Sequence, residues 1–325
     1  VLGSLLSMLT LCALPGCQLA PPYRPPAVVA PSAYKELSVP GQEGAGDWKL
    51  AQPADAFSRG AWWKIFGDAP LDALEEQLNT ANQSLAAALS VFQQARAIVW
   101  EAQSQYYPSL SAGAGAIRER LSAGAASQSS GGAITGPPSY ANLSLYSLSF
   151  DASWTPDLWS RVRNAVAGAA ASAQASFADL ENTRLTLQAE LAVDYFALRA
   201  QDELIKLLDD TVLAYQKAMD LTRAQYETGI GTEQAVAQAE VQLQTTQAQA
   251  TNLRIARAQY EHAIAVLVGQ APAGFSLTPE VRRIEAPNIP PGLPSDLLER
   301  RPDIAANERH MAQANAQIGV ARAAY

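Results

Sequence analysis

From Asp157 to Ala271, between Pro156 and Pro272, the chain contains no proline. Proline inside an α-helix removes a backbone donor and clashes with the preceding turn. A proline-free run this long, rich in Ala, Leu, Gln, Glu and Arg, is therefore written to be helical. Its glycines are few and placed. Gly168 lies near the start and Gly269 near the end, while Gly229 and Gly231 fall together in Tyr226-Glu-Thr-Gly-Ile-Gly-Thr232, a turn that divides the run. Two helices are predicted. The first, from about Leu158 to Thr228, would be roughly 105 Å long, and the second, Glu233 to Val268, roughly 55 Å. Neither fits inside an ordinary globular domain.

The apolar pattern indicates how such helices are buried. Leu187, Leu191, Tyr195 and Leu198 step by four, four and three, and Leu204, Leu208, Val212, Tyr215, Met219, Thr222 and Tyr226 continue the seam of a coiled coil. Elsewhere the filler is alanine and glutamine. Around Ala165 to Ala178 and Ala235 to Ala250 the side chains are small enough for helix contact on more than one face, which suits a curved wall of helices. A free-standing antiparallel coiled-coil hairpin is the simpler alternative.

The 325 residues are mildly acidic, with a net charge of -8 and no basic cluster, so nucleic-acid binding has no electrostatic support. Cys12 and Cys17 both lie at the very start, leaving the body without thiol ligands. His262 and His310 are isolated in helical patterns and read as packing or solvated residues. No metal or cofactor site is expected.

Residues 1–16, VLGSLLSMLTLCALPG, are uncharged and apolar and read as a signal peptide whose charged beginning is missing. Leu14-Pro-Gly-Cys17 resembles a bacterial lipoprotein cleavage box, which makes Cys17 the acylated first residue of the mature chain. Gln18 in place of Asp then implies delivery to the outer membrane. Residues 17–60, rich in Pro, Gly, Ala and Ser, are expected to form an extended strap. The strap leads into Trp62-Trp-Lys-Ile-Phe-Gly-Asp68, aromatic enough to dock a tail, and residues 61–108 hold a first helix expected from Leu71 to Tyr106.

Residues 109–155 change period. Ser109 to Ile117 alternate weakly, a Gly/Ser-rich loop follows from about Ser122 to Pro138, and then Tyr146, Leu148, Phe150, Ala152 and Trp154 alternate with Ser147, Ser149, Asp151 and Ser153. A membrane-spanning strand has this length and two-faced pattern, and the apolar set would face lipid. A soluble half-buried strand would look similar.

Residues 156–271 form the helical hairpin, and the prolines of 272–302 mark a linker. Residues 303–325 then echo the first helix. At an offset of 219, Ala86-Ala87, Gln94-Ala95, Ala97, Ala102 and Tyr106 return as Ala305-Ala306, Gln313-Ala314, Ala316, Ala321 and Tyr325. The chain is expected to stop inside an internal duplication.

Taken in order, these motifs resemble a TolC-like outer-membrane factor of the lipoprotein, NodT-like type that serves tripartite efflux pumps. The resemblance is carried by the Cys17 box with Pro22-Tyr23 and Pro26, Trp62-Trp63 with Phe66-Gly67-Asp68, Tyr107-Pro-Ser-Leu110, and Trp154 with Asp157-Leu-Trp-Ser-Arg-Val-Arg163. It continues through the Tyr226 to Thr232 turn, Leu267-Val-Gly-Gln-Ala-Pro272, and Pro294-Ser-Asp-Leu-Leu-Glu-Arg-Arg-Pro-Asp-Ile304. The fold class it implies is mainly α with membrane β-strands: a homotrimer whose long antiparallel coiled-coil helices form a periplasmic α-barrel and whose strands share a twelve-stranded outer-membrane β-barrel.

It also implies that Tyr226, Glu227, Gly229, Gly231, Thr232 and Glu233 form the periplasmic tip that docks a periplasmic adaptor, itself joined to an inner-membrane pump. The lipid-facing strand positions are Tyr146, Leu148, Phe150 and Trp154. One position departs from the pattern. Ala235 stands where the family usually has an Asp, which leaves Glu227 or Glu233 to supply a carboxylate at the closed mouth.

The function expected is a passive exit duct, which needs a wet lumen and a gate but no catalytic residue. A periplasmic coiled-coil adaptor is the alternative, although it would lack amphipathic strands of this kind. Nucleophile-elbow, P-loop, dinucleotide and zinc-helix motifs are absent, so an enzyme is not expected.

Overall fold

The computed structural model describes residues 20–25, 60–121, 141–282, 287 and 298–324. Residues 1–16, Cys17, most of the 17–60 strap, the loop 122–140 and most of the proline-rich stretch after Arg282 lie outside them. Among the described residues the helices are α1 (Ala69–Ala81), α2 (Gln83–Ser104), α3 (Arg161–Glu227), α4 (Glu233–Leu267) and α5 (Pro302–Arg322), with strands β1 (Ser109–Leu121) and β2 (Ala141–Ser153) and 3-10 turns at Trp62–Phe66 and Pro272–Gly274. No helix among them is long and apolar enough to cross a membrane. The chain divides into two compact units, residues 1–23, 97–170 and 313–325 in one and residues 24–96 and 171–312 in the other.

The proline-free run does form two helices, of 67 and 35 residues. The first begins three residues later than Leu158, and the cause is local. Ser160 is fully buried in a left-handed conformation, φ 61°, so it cannot continue a helix from before it. Its carbonyl accepts from Asn164 N, and the Asp157 carboxylate accepts from Arg163 N at 2.9 Å, closing the first turn.

The single helix expected from Leu71 to Tyr106 is instead two, broken at Asn82, which adopts extended backbone. Asn82 Oδ1 accepts from Leu85 N and caps α2, while its Nδ2 donates 2.8 Å to the Leu267 carbonyl at the end of α4. A residue satisfying both ends cannot also remain helical. The partner lies 185 positions away, out of reach of any local pattern.

In the larger unit the core forms where α1 lies on the middle of α3 and the end of α4. Leu71, Leu74 and Leu78 pack with Leu191, Ala192, Tyr195 and Leu198 and with Ile264, Leu267 and Val268, and Trp63 completes the cluster. Each leucine, isoleucine or valine among them, fully removed from water, contributes about 1.5–3 kcal/mol. The aromatic Trp62–Phe66 turn docks here: Phe66 meets the Phe196 ring with centroids 4.8 Å apart, and Trp62 Nε1 donates to Gln188. The seam holds through Leu198 and returns at Met219, whereas Leu204 and Tyr226 are exposed in the single chain.

Two polar clusters tie this core to the segment after α4. Asp68 caps α1 by accepting from Leu71 N, accepts from the Tyr195 hydroxyl at 2.9 Å and pairs with Arg282. Asp202 is held by Arg257 Nε at 2.6 Å, by Arg199 and by Glu280 N; the two arginines also donate to the carbonyls of Thr278 and Leu277. Glu261 accepts from Leu277 N. Burying these charges is tolerable because each is paired and hydrogen-bonded.

One buried charge-bearing group has no such company. Glu75 falls within the apolar stripe of α1, between Leu74 and Leu78, at 0% exposure, and neither carboxylate oxygen has a hydrogen-bond partner. Burial pushes its pKa up from 4.5 to about 8.

In the smaller unit, Asn315 on α5 donates to the Pro21 carbonyl, and Gly168 of α3 lies where a Cβ would touch that of Ala316 at 3.5 Å. Helix α5 begins at Pro302, 219 residues after α2 begins at Gln83.

Candidate functional site

The strands of the smaller unit pair antiparallel across their whole length, from Ser109↔Ser153 to Leu121↔Ala141. Directly paired residues share a face, so the register sorts the hairpin. One face carries Leu110/Ala152, Ala112/Phe150, Ala114/Leu148 and Ala116/Tyr146. The opposite face carries Ser111/Asp151, Gly113/Ser149 and Gly115/Ser147, followed by Ile117/Leu145. Tyr146, Leu148 and Phe150, expected on one face, are brought together at 70–81% exposure.

Trp154 is a partial exception, lying one residue beyond the end of β2. Its indole donates 3.1 Å to the Tyr106 carbonyl just beyond α2. Strand β1 runs on through Arg118-Glu-Arg120, past the weak alternation that ended at Ile117.

The glycine turn of the larger unit is built from hydrogen bonds rather than packing. At the end of α3, Gly229 N donates to the Tyr226 carbonyl and Ile230 N to that of Gln225, the paired pattern that ends a helix on a left-handed residue. Gly229 supplies that residue, with φ 76° and open space around it. Gly231 is confined differently. A Cβ there would stand 3.0 Å from Tyr226 N and 3.3 Å from the Gln225 carbonyl carbon, so a side chain would press on the helix end, which would have to give by a few tenths of an ångström.

Thr232 then caps α4 by accepting from Ala235 N at 3.2 Å, with Glu233 in the first turn, where a carboxylate complements the helix dipole. The structure thus gathers Tyr226, Glu227, Gly229, Gly231, Thr232 and Glu233 into one reversal, with the side chains of Tyr226, Glu227 and Glu233 exposed. Sequence reasoning passed over Ile230 at its apex, which is 82% exposed. An isoleucine between two turn glycines, in a segment that offers no apolar periodicity, was the available signal.

The profile of the outer membrane efflux protein family matches residues 73–270. The probable efflux pump outer membrane protein TtgC of Pseudomonas putida is 30% identical over 325 residues, covering 99% of this chain and 64% of that protein. The pyoverdine export outer membrane protein OpmQ of Pseudomonas putida is 32% identical over 281 residues, 84% of this chain and 58% of its own length. Among solved structures, the outer-membrane channel OprN is 28% identical with a TM-score of 0.76, covering 94% of this chain and 64% of the channel. The chain therefore spans less than two thirds of the length of these relatives. A match across most of the helical hairpin, together with the strand pair and the helix order, shows that the chain belongs to the outer membrane efflux protein family.

Proposed function

We propose that the protein is the outer-membrane exit duct of a tripartite efflux pump, passing small molecules outward without chemically changing them. The observation that carries this reading is the sorting of the strand hairpin, over Leu110 to Ala116 and Tyr146 to Ala152, into an apolar face and a face of glycine, serine and aspartate. A closed barrel needs lipid on one side of each strand and water on the other. An adaptor has no use for such a pair.

In this reading the protein acts as a homotrimer and its long helices line a periplasmic tunnel. The acylated Cys17 anchors it to the inner leaflet of the outer membrane, and one acyl chain alone would hold only marginally. The turn from Tyr226 to Glu233 meets the periplasmic adaptor, which connects to an inner-membrane pump. Ile230 adds an apolar knob to that surface, with Glu227 and Glu233 as the carboxylates near it.

The test uses the full-length protein in its host. Deleting the gene should raise the intracellular accumulation of a hydrophobic fluorescent dye, and restoring it should lower accumulation while giving a heat-resistant oligomer in outer-membrane fractions. Unchanged accumulation, with no such oligomer from the wild type, would refute the duct.

A further inference from the structure

In the smaller unit, two helices hold a piece of the strap between them. Gly319, in the last turn of α5, lies against Asn164, in the first turn of α3, and Ala316 lies against Gly168, so the two helices run antiparallel. Asn315, four residues before Gly319 and on the same face of α5, donates 2.9 Å to the Pro21 carbonyl. A Cβ on Gly319 would stand 2.6 Å from Ala20 Cβ and 2.5 Å from Asn164 Nδ2. Gly319 has no positive φ, so its backbone does not call for glycine; the strap does.

Two polar groups in this corner are left over. Asn164 Nδ2 and Ser160 Oγ have no hydrogen-bond partner, although their residues are only 4% and 0% exposed. A buried donor without a partner is rare in a folded chain, because it gives up its bond to water and gains none in return. Asn164 Nδ2 stands against the same point above Gly319 as Ala20 does, so the chain leading into Ala20 is its nearest source of acceptors.

The direction of that chain is fixed by its contacts. Followed backwards, it passes Asn315 at Pro21 and then Gly319 and Asn164 at Ala20, so it heads toward Ser160 and the end of the strand pair that joins α3. Three peptide steps separate Ala20 from Cys17, at most about 11 Å of chain. Beside Ser160, Leu158 and Trp159 are 58% and 57% exposed, and Trp154 is 59% exposed at the end of β2. Exposed tryptophans at the end of a membrane strand mark the level of a membrane surface.

We infer that this corner is the seat of the mature N-terminus: Asn164 Nδ2 and the Ser160 hydroxyl donate to backbone carbonyls of Cys17 to Leu19, and the seat fixes the acylated Cys17 at the foot of the strand pair. The acyl groups then enter the leaflet next to the barrel rather than at the end of a loose tether. This rests on the acylation of Cys17 within the duct reading.

The test puts a photo-cross-linking residue in place of Leu19 in the full-length protein, made in cells fed labelled palmitate. Cross-links to α3 and α5 are identified by mass spectrometry in outer-membrane fractions and expressed per heat-resistant oligomer. The otherwise unaltered protein should carry both the palmitate label and the cross-link. Gly319→Ala sets a Cβ against Ala20 while leaving helical backbone undisturbed, and should lower the cross-link about tenfold; adding Ala20→Gly should restore part of it. Asn164→Leu should lower it roughly fivefold, the weight of one buried hydrogen bond. The palmitate label should be equal throughout. An undiminished cross-link in both Gly319→Ala and Asn164→Leu, or none in the unaltered protein, would overturn the seat while leaving the label and the duct intact. Loss in Gly319→Ala alone would mean that a buried water meets the Asn164 amide, and would overturn the hydrogen bond. Absence of palmitate from the unaltered protein would remove the acylated occupant, and the proposal with it.

Discussion

Replacing Glu75 by Gln should stabilise the protein, and by an amount that grows with pH. The folded chain keeps this carboxyl protonated up to about pH 8, while the unfolded chain ionises near 4.5. Below 4.5 both states hold the proton, and burial carries no ionisation penalty. As pH rises from there the unfolded state gains by releasing its proton, so stability falls by about 1.4 kcal/mol per pH unit until the folded pKa is reached. Over that interval the loss amounts to about 4–5 kcal/mol, of the order of the whole stability of a small domain.

The amide introduced by Glu75→Gln would not titrate, but it would still be buried in place of a carboxyl without partners, at a cost of about 1–3 kcal/mol. Glu75→Leu removes that cost as well and continues the stripe of Leu71, Leu74 and Leu78. Amide hydrogen exchange in α1, corrected for the intrinsic rate and followed from pH 5 to 8.5, reads local opening without requiring reversible denaturation in detergent. The wild type should lose protection steeply with pH, and the two variants should not. Parallel pH profiles in wild type and Glu75→Gln would refute the argument, because the carboxyl would then titrate elsewhere.

Four other substitutions test other parts of the fold, one of them with a control on the opposite strand face. Phe150→Arg, on the apolar face of β2, should cost about 2–4 kcal/mol near the bilayer midplane and reduce the yield of heat-resistant oligomer. Ser149→Arg on the opposite face should leave that yield unchanged; equal yields of both would place the strand outside the membrane. Ile230→Asp should leave the glycine turn and oligomer unaltered while lowering dye export and cross-linking to the adaptor, and unaltered export would move docking away from the apex. Gly269→Ala should destabilise by about 2 kcal/mol or more, since Gly269 has φ 73° and a Cβ there would lie 2.5 Å from the Ala81 carbonyl oxygen; an unchanged melting temperature would contradict it. Asp202→Ala removes the carboxylate that Arg199 and Arg257 share but leaves Arg199 near Glu280 and Arg257 beside Glu261, so the loss should stay below the roughly 3–5 kcal/mol of an uncompensated buried charge. Faster exchange at Glu280 N, whose acceptor is Asp202 Oδ2, should accompany it.

The long helices were legible because proline and glycine act locally. A missing proline permits a helix, and a glycine pair ends one, whatever the rest of the chain does. The aromatic face of β2 was legible for the same reason, as alternation is a property of neighbours. What local pattern missed was set from a distance. Asn82 breaks α1 from α2 because of a carbonyl on α4, and Ser160 takes its left-handed conformation inside a buried corner. Glu75 reads in isolation as a solvated helix residue, and only the position of α1 on α3 and α4 turns it inward. At the glycine turn the sequence supplied the reversal and Gly229 as its turn residue, but not the crowding at Gly231, which depends on where the backbone of Gln225 and Tyr226 lies.

The face of Gly113, Gly115, Ser147 and Ser149 bears on transit time. In the duct proposed above, this wall gives a passing molecule hydroxyl groups and bare backbone, with little side-chain area to adhere to. A Cβ on Gly115 would stand 2.8 Å from Ser147 Oγ, so a larger residue there would have to turn that hydroxyl aside. Conduction favours sites that release as readily as they bind. A smooth, hydrated wall of this kind shortens the dwell of apolar cargo and leaves discrimination among cargoes to surfaces elsewhere along the route.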